Sequence, residues 1–260
     1  MKEKEENSLS RISSSQVFLT HLCCGLALAV GFWVAYNVYS INLVSDPTNT
    51  LRLIWAIECP VVILLFSCFR KKPEKCSYLK AVARGLVGLP AGALVNALGA
   101  LALGSPVGLQ YFEKTVIWSL LMSLFIFVPA SSVYGSSWTD WHRIFACTKP
   151  KGSLDFMLCL PAHGAVIGAW FGAWPMPLDW ERPWQLQKLA FLSLLVATAL
   201  LRLMSGKGSL DGCSYSNMMQ GYLDWPICVS YGAMAGYVVG MVGSFGLALM
   251  RGGQKQIKAE

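Results

Sequence analysis

Hydrophobic residues in this chain come in blocks of bilayer-crossing length, and charged residues collect in the gaps between them. A helix needs about 20 apolar residues to cross the hydrocarbon core. Residues 17–40, 81–103, 116–133, 156–174 and 227–250 meet that requirement. Residues 53–69 form a shorter block bounded by Arg52 and Arg70, whose side chains can extend to the interface. The pattern predicts an all-α polytopic membrane protein with six transmembrane helices. A seventh apolar stretch, 189–201, lies between Lys188 and Arg202 and is nearer in length to an interfacial or re-entrant piece than to a span. The predicted organisation is a polar cytosolic N-terminus over 1–16, a transmembrane helical domain over 17–250 with an atypical insert at 186–223, and a basic cytosolic tail over 251–260.

Composition supports one membrane domain. Of 260 residues, 55% are hydrophobic and 13% charged, and mean hydropathy is +0.49. Soluble domains carry about 25% charged residues. The net charge of +7 does not form a basic face, because the cations are spread over short segments beside the apolar blocks. Nucleic acid is therefore not an expected partner. With six spans, 15 of the 21 Lys and Arg fall on the side holding both termini and six on the other. That bias puts the termini in the cytosol.

Small and polar residues inside the blocks mark the candidate sites. Gly164, Gly168 and Gly172 recur every four residues in the fifth block, and Gly232, Gly236 and Gly240 do so in the sixth. Gly88 and Gly92 form one such pair in the third. Residues four apart share a helix face, and small residues let membrane helices approach closely. Two readings follow: a tight bundle of the third, fifth and sixth spans, or a docking face for a partner helix. Glu58 is the one deep acid, read either as functional or as paired with Arg52 or Arg84. His21, His163 and Asn96 each suit one interhelical hydrogen bond better than a metal.

The segment 174–185 breaks the fifth helix at Pro175 and then sets Asp179, Glu181 and Arg182 among Trp180 and Trp184. Tryptophan favours the headgroup level. Pro175, Pro177 and Pro183 would hold such a turn rigid. It reads as a lumenal surface for a partner protein ahead of an aromatic anchor, and both ahead of a paired-acid catalytic site. The chain has no Walker loop, HExxH or GxSxG motif and no intervening segment long enough for a catalytic domain. No catalytic residue, metal or cofactor is expected.

Gly168 to Gln185, with Trp225-Pro226-Ile227 and Gly232-x-x-x-Gly236-Tyr237-Val238, resembles the PIG-F family of endoplasmic-reticulum membrane subunits in glycosylphosphatidylinositol (GPI) anchor synthesis. Weaker similarities are Thr20-His21-Leu22, Gly104-x-Pro106, Pro129 and Trp141-x-Arg143-x-Phe145. The resemblance implies a multi-pass protein of that membrane which is not an enzyme. It implies a subunit that binds and stabilises the large GPI ethanolamine-phosphate transferase catalytic subunits, which add phosphoethanolamine to mannoses of the GPI precursor. Membrane lipid is the other expected partner. The expected contacts are Asp179, Trp180, Glu181, Arg182 and Trp184 together with the six glycines of the fifth and sixth spans. Residues 186–223 depart from the family pattern and read as a retained-intron or gene-model product or a tolerated lumenal loop. The alternatives to a subunit are a small-molecule or lipid transporter, with helices broken at Pro60, Pro90, Pro129 and Pro161, and a membrane enzyme using Asp179 and Glu181.

Overall fold

A computed structural model describes residues 12–43, 45–71, 73–74, 76–103, 105, 109–146, 150, 152–173 and 225–257. The turn holding Asp179, Trp180, Glu181, Arg182 and Trp184, the stretch 189–201 and the insert 186–223 lie outside them. Six long helices carry the fold: α1 (Ser14–Asn37), α2 (Pro47–Cys68), α3 (Tyr78–Ala102), α4 (Leu109–Tyr134), α5 (Ser153–Ala173) and α6 (Trp225–Ile257). No strand occurs among the described residues. Each long helix has the length and hydropathy to cross a membrane.

Polar caps set the helix starts ahead of the apolar blocks. Ser13 and Gln16 form a reciprocal capping box at α1. The Asp46 side chain accepts from the Asn49 N–H, and Pro47 opens α2. Ser77 accepts from the Lys80 N–H at α3. These hydroxyls and carboxylates satisfy N–H groups that a helix start leaves unpaired. At the other end of the chain α6 runs through Ile257, so the predicted tail begins as helix. Pro60, Pro90, Pro129 and Pro161 all sit within continuous helices, so the broken helices expected of a transporter site are not formed.

Helix α4 is the axle of the bundle. In its apolar window 83% of residues are buried, against 22% in α3. It packs on α2, α3, α5 and α6, while α1 packs chiefly on α2 and α6. Its inward faces supply Leu121, Leu124, Phe125 and Val128, all essentially buried, and the Phe125 ring stacks on Tyr237 of α6 at 4.1 Å. Outward-facing Leu86, Val87, Leu94, Val95 and Leu98 of α3 are more than half exposed, as a lipid-contacting face requires.

The third span does not join the fifth and sixth, as the glycine pattern allowed. Gly85, Gly88 and Gly92 face α4, where an added Cβ would meet Ser132, Ser131 and Ser123. The Ser123 hydroxyl donates to the Leu89 carbonyl at 2.7 Å, replacing lipid contact by a bond between helices.

Candidate functional site

Among the described residues, α5 and α6 approach each other backbone to backbone. The helices run antiparallel, with Gly164 opposite Gly236, Gly168 opposite Gly232, Gly172 opposite Cys228 and Gly240 opposite Leu160. At every step a Cβ would strike the carbonyl of the facing helix. One on Gly168 would lie 2.8 Å from the Gly232 carbonyl carbon and 3.1 Å from the Gly236 Cα. Backbones at this distance gain dispersion and weak Cα–H···O contacts along the whole seam. Each glycine ladder therefore finds its counterpart within this chain. The glycine faces expected as partner contacts are turned toward each other, and their direct contribution is to hold α5 and α6 in fixed register.

A second constellation closes the opposite end of α5. Helix α4 stops at Gly135, which adopts the left-handed conformation (φ 61°) and returns its N–H to the Ser131 carbonyl at 2.9 Å. A short helical turn, Trp138–Trp141, passes into a π-helical turn, His142–Ala146. The Trp141 indole N–H donates to the Gly135 carbonyl at 2.8 Å, and its ring contacts Phe127 and Phe145. These aromatic braces aim Arg143 inward.

Arg143 bridges two buried acids. Its guanidinium donates to Asp140 at 2.8 Å and to Asp155 at the start of α5. The Tyr134 hydroxyl, on the last residue of α4, also donates to Asp155. Lys71, from the α2–α3 connection, donates to both Asp140 oxygens at 2.9 and 3.0 Å, and Ser137 donates to Asp140 at 2.7 Å. The Lys71 N–H reaches the Val133 carbonyl at 2.9 Å. One polar network thus ties α2, α4 and α5 together where the bundle meets its polar surroundings. Burial raises the Asp140 pKa, but hydrogen bonds from Ser137, Arg143 and Lys71 outweigh it and hold the carboxyl below its ordinary value of 3.8. Burial likewise disfavours the Arg143 charge, yet its bonds to Asp140 and Asp155 hold it above its ordinary range.

This lowering fixes the sign of a pH dependence. A carboxyl depressed in the folded state contributes stability above its unfolded value, and that contribution is lost as pH falls through the folded value. The thermal midpoint of the detergent-solubilised protein is expected to fall on acidification below about pH 4. Asp140→Asn should lower the midpoint at neutral pH and flatten that acid limb. An unchanged acid limb in Asp140→Asn would contradict the assignment.

Sequence reasoning counted Lys71 and Arg143 only as cations of the positive side, the latter also as part of a motif, and it missed Tyr134, Asp140 and Asp155. One signal was present. Asp140 and Arg143 are three apart, and Asp155 borders an apolar block where an unpaired acid is costly.

The lone polar residues behave differently from one another. His21 bonds Ser244 across α1 and α6 at 3.1 Å, the interhelical bond expected. His163 and Asn96 instead bond carbonyls of their own helices, at Cys159 and Gly92. No cluster of three His, Cys, Asp or Glu side chains with metal-site geometry occurs among the described residues.

Glu58 is fully buried, and neither carboxyl oxygen has a hydrogen-bond partner among the described residues. Arg52 pairs with Glu113 rather than with Glu58. Six residues turn a helix by about 240° beyond one revolution, so Arg52 and Glu58 occupy different faces. Leaving a buried polar group unpaired costs about 1–3 kcal/mol. Glu58→Met, apolar and of similar length, is therefore expected to raise the thermal midpoint in detergent. A lowered midpoint would contradict this reading.

Comparison with known proteins places this architecture. Residues 26–187 match the family described as PIG-F, GPI biosynthesis protein family Pig-F. The match ends two residues beyond Gln185, where the atypical insert begins. Among curated proteins, the chain is 31% identical over 147 residues to the PIGF/3-ketodihydrosphingosine reductase fusion protein of Schizosaccharomyces pombe, covering 56% of this chain and 29% of that protein. It is 25% identical over 236 residues to the mouse GPI ethanolamine phosphate transferase, stabilizing subunit, covering 90% of this chain and 78% of the relative. The human protein of the same name is 27% identical over 139 residues, covering 54% of this chain and 46% of the relative. The chain thus spans less than half the length of two of these three relatives. No solved structure matches it. With more than half of its residues matched, this chain belongs to the PIG-F family of GPI biosynthesis proteins.

Proposed function

We infer that this protein is a non-catalytic subunit of the GPI ethanolamine-phosphate transferases, binding and stabilising their large catalytic subunits in the endoplasmic reticulum membrane. The observation that carries this is family membership joined to the mouse and human relatives named as stabilizing subunits of that transferase. The described residues fit the role. Asp140 and Asp155 are tied into ion pairs with Arg143, Glu58 is isolated in the core, and what the fold builds with care is helix register. In this reading the α5–α6 seam matters to the partner indirectly. It fixes the two helix ends that flank Asp179, Trp180, Glu181, Arg182 and Trp184, which begin six residues beyond Ala173 and present the contact on the lumenal side. In this reading both termini lie in the cytosol, which the distribution of Lys and Arg supports.

Expression of the tagged chain in cells lacking their own PIG-F protein tests this. Transferase catalytic subunits should recover in abundance and co-purify with the tag from mild detergent. Asp179→Ala combined with Trp184→Ala should reduce co-purification at least several-fold while the tagged chain keeps its own level and thermal midpoint. Undiminished capture by that variant would remove the turn from the interface. Failure of the unaltered chain to capture or raise any transferase would refute the function.

A further inference from the structure

We propose that Arg84 and Lys80, at the cytosol-facing end of α3 beside the α4 terminus, bind the headgroup of an anionic phospholipid whose acyl chains lie on the exposed face of α3. The assignment of that end to the cytosol rests on the orientation above; the site itself does not.

Arg84 is the sixth residue after Tyr78 in α3, which puts its Cα about 9 Å along the helix from the start of the span. A cation at that depth is costly unless it reaches the interface or finds an anion. Its guanidinium lies over Gly135, so close that a Cβ there would come within 2.8 Å of Nη1 and 2.9 Å of Cζ. The α4 carboxyl end supplies only a partial negative charge, about half an elementary charge, so it orients the guanidinium without neutralising it.

The other cations nearby among the described residues are already satisfied. Lys71 and Arg143 are paired with Asp140 and Asp155, Arg70 donates to the Cys76 carbonyl at 2.8 Å, and Arg251 lies 4.2 Å from the Phe156 ring centre. No ion pair reaches Arg84 or Lys80 among the described residues. Lys80 stands one helical turn before Arg84 and is exposed, so two cations share one edge of α3. Below them runs the apolar face of Leu86, Val87, Leu94, Val95 and Leu98, exposed by 53–70%. Trp138, 76% exposed just past the α4 terminus, is an amphipathic ring suited to the headgroup level. A half-buried guanidinium above an acyl-wide apolar face has the geometry of a phosphate-bearing lipid, and basic pockets between helices on the cytosolic side bind such headgroups.

The test uses the full chain, purified and reconstituted in phosphatidylcholine membranes with or without phosphatidylserine, with lipid retention read by native mass spectrometry. The unaltered protein should retain phosphatidylserine over phosphatidylcholine. Arg84→Gln should reduce that preference by about fivefold, the worth of one cation at an anionic headgroup. Arg84→Lys should restore most of it. Millimolar inorganic phosphate should not displace the lipid. Displacement by phosphate would replace the lipid site by a free-anion site and overturn the proposal. Should Arg84→Gln not fold, spin-labelled lipids reporting on the unaltered protein still decide. Equal association of the two lipids would overturn the proposal, as would an Arg84→Gln variant with undiminished preference.

Discussion

Gly168→Leu is expected to abolish the folded bundle. The facing atoms are the Gly232 carbonyl and the Gly236 Cα, both backbone, and neither can rotate aside. The helices must separate, and because the seam is one continuous contact, Gly164 and Gly172 lose their partners with it. Overpacking a close contact costs about 1–3 kcal/mol and occasionally more. Here a four-carbon side chain enters a backbone-to-backbone contact that no rotamer change can relieve, so the cost lies above that range. A domain's total stability is only about 5–15 kcal/mol. The protein supplies its own control. Gly243 and Gly246, on the same helix α6, have nothing within 4 Å of an added Cβ. Gly243→Leu should leave the thermal midpoint and the monodisperse yield in detergent near those of the unaltered protein, while Gly168→Leu collapses both. Equal behaviour of the two variants would contradict the seam.

Arg143→Met should be the second most damaging change. The side chain keeps its length, but Asp155 and Asp140, whose side chains are 8–9% exposed, lose the guanidinium between them. Removing one member of a buried ion pair costs about 3–5 kcal/mol, chiefly because the remaining charge is left uncompensated. Lys71 and Ser137 still serve Asp140, whereas Asp155 keeps the Tyr134 hydroxyl but loses the guanidinium charge. Adding Asp155→Asn to Arg143→Met should therefore recover part of the loss. A double-mutant cycle on thermal stability in detergent measures that coupling. Additive losses would show that Arg143 and Asp155 do not act as a pair.

The six spans were legible because hydrocarbon length and hydropathy constrain a membrane helix more tightly than any local propensity does. Their starts were not. Residue 53 opens the second apolar block, yet α2 begins at Pro47, because the Asp46 side chain and a proline nucleate helix in a polar stretch that hydropathy ignores. The glycine period identified faces but not what they meet. The same spacing sets α5 against glycine backbone on α6 and α3 against serine hydroxyls on α4. The Arg143 network was hidden because its members come from remote points: Lys71 lies 69 residues from Asp140, and only docking of the α2–α3 connection onto the α4 terminus unites them. Trp141-x-Arg143-x-Phe145, visible as a family similarity, acquires a reason: two rings brace the turn and the cation between them joins the acids. The Asp179–Trp184 turn remains a proposal drawn from sequence.

In the proposed role this chain sustains a transferase without performing the transfer. Purified free of any transferase catalytic subunit, reconstituted with a GPI precursor and a phosphoethanolamine donor, it should yield no modified glycolipid, and activity should appear only when the catalytic subunit is added. Transfer by the chain on its own would contradict the account.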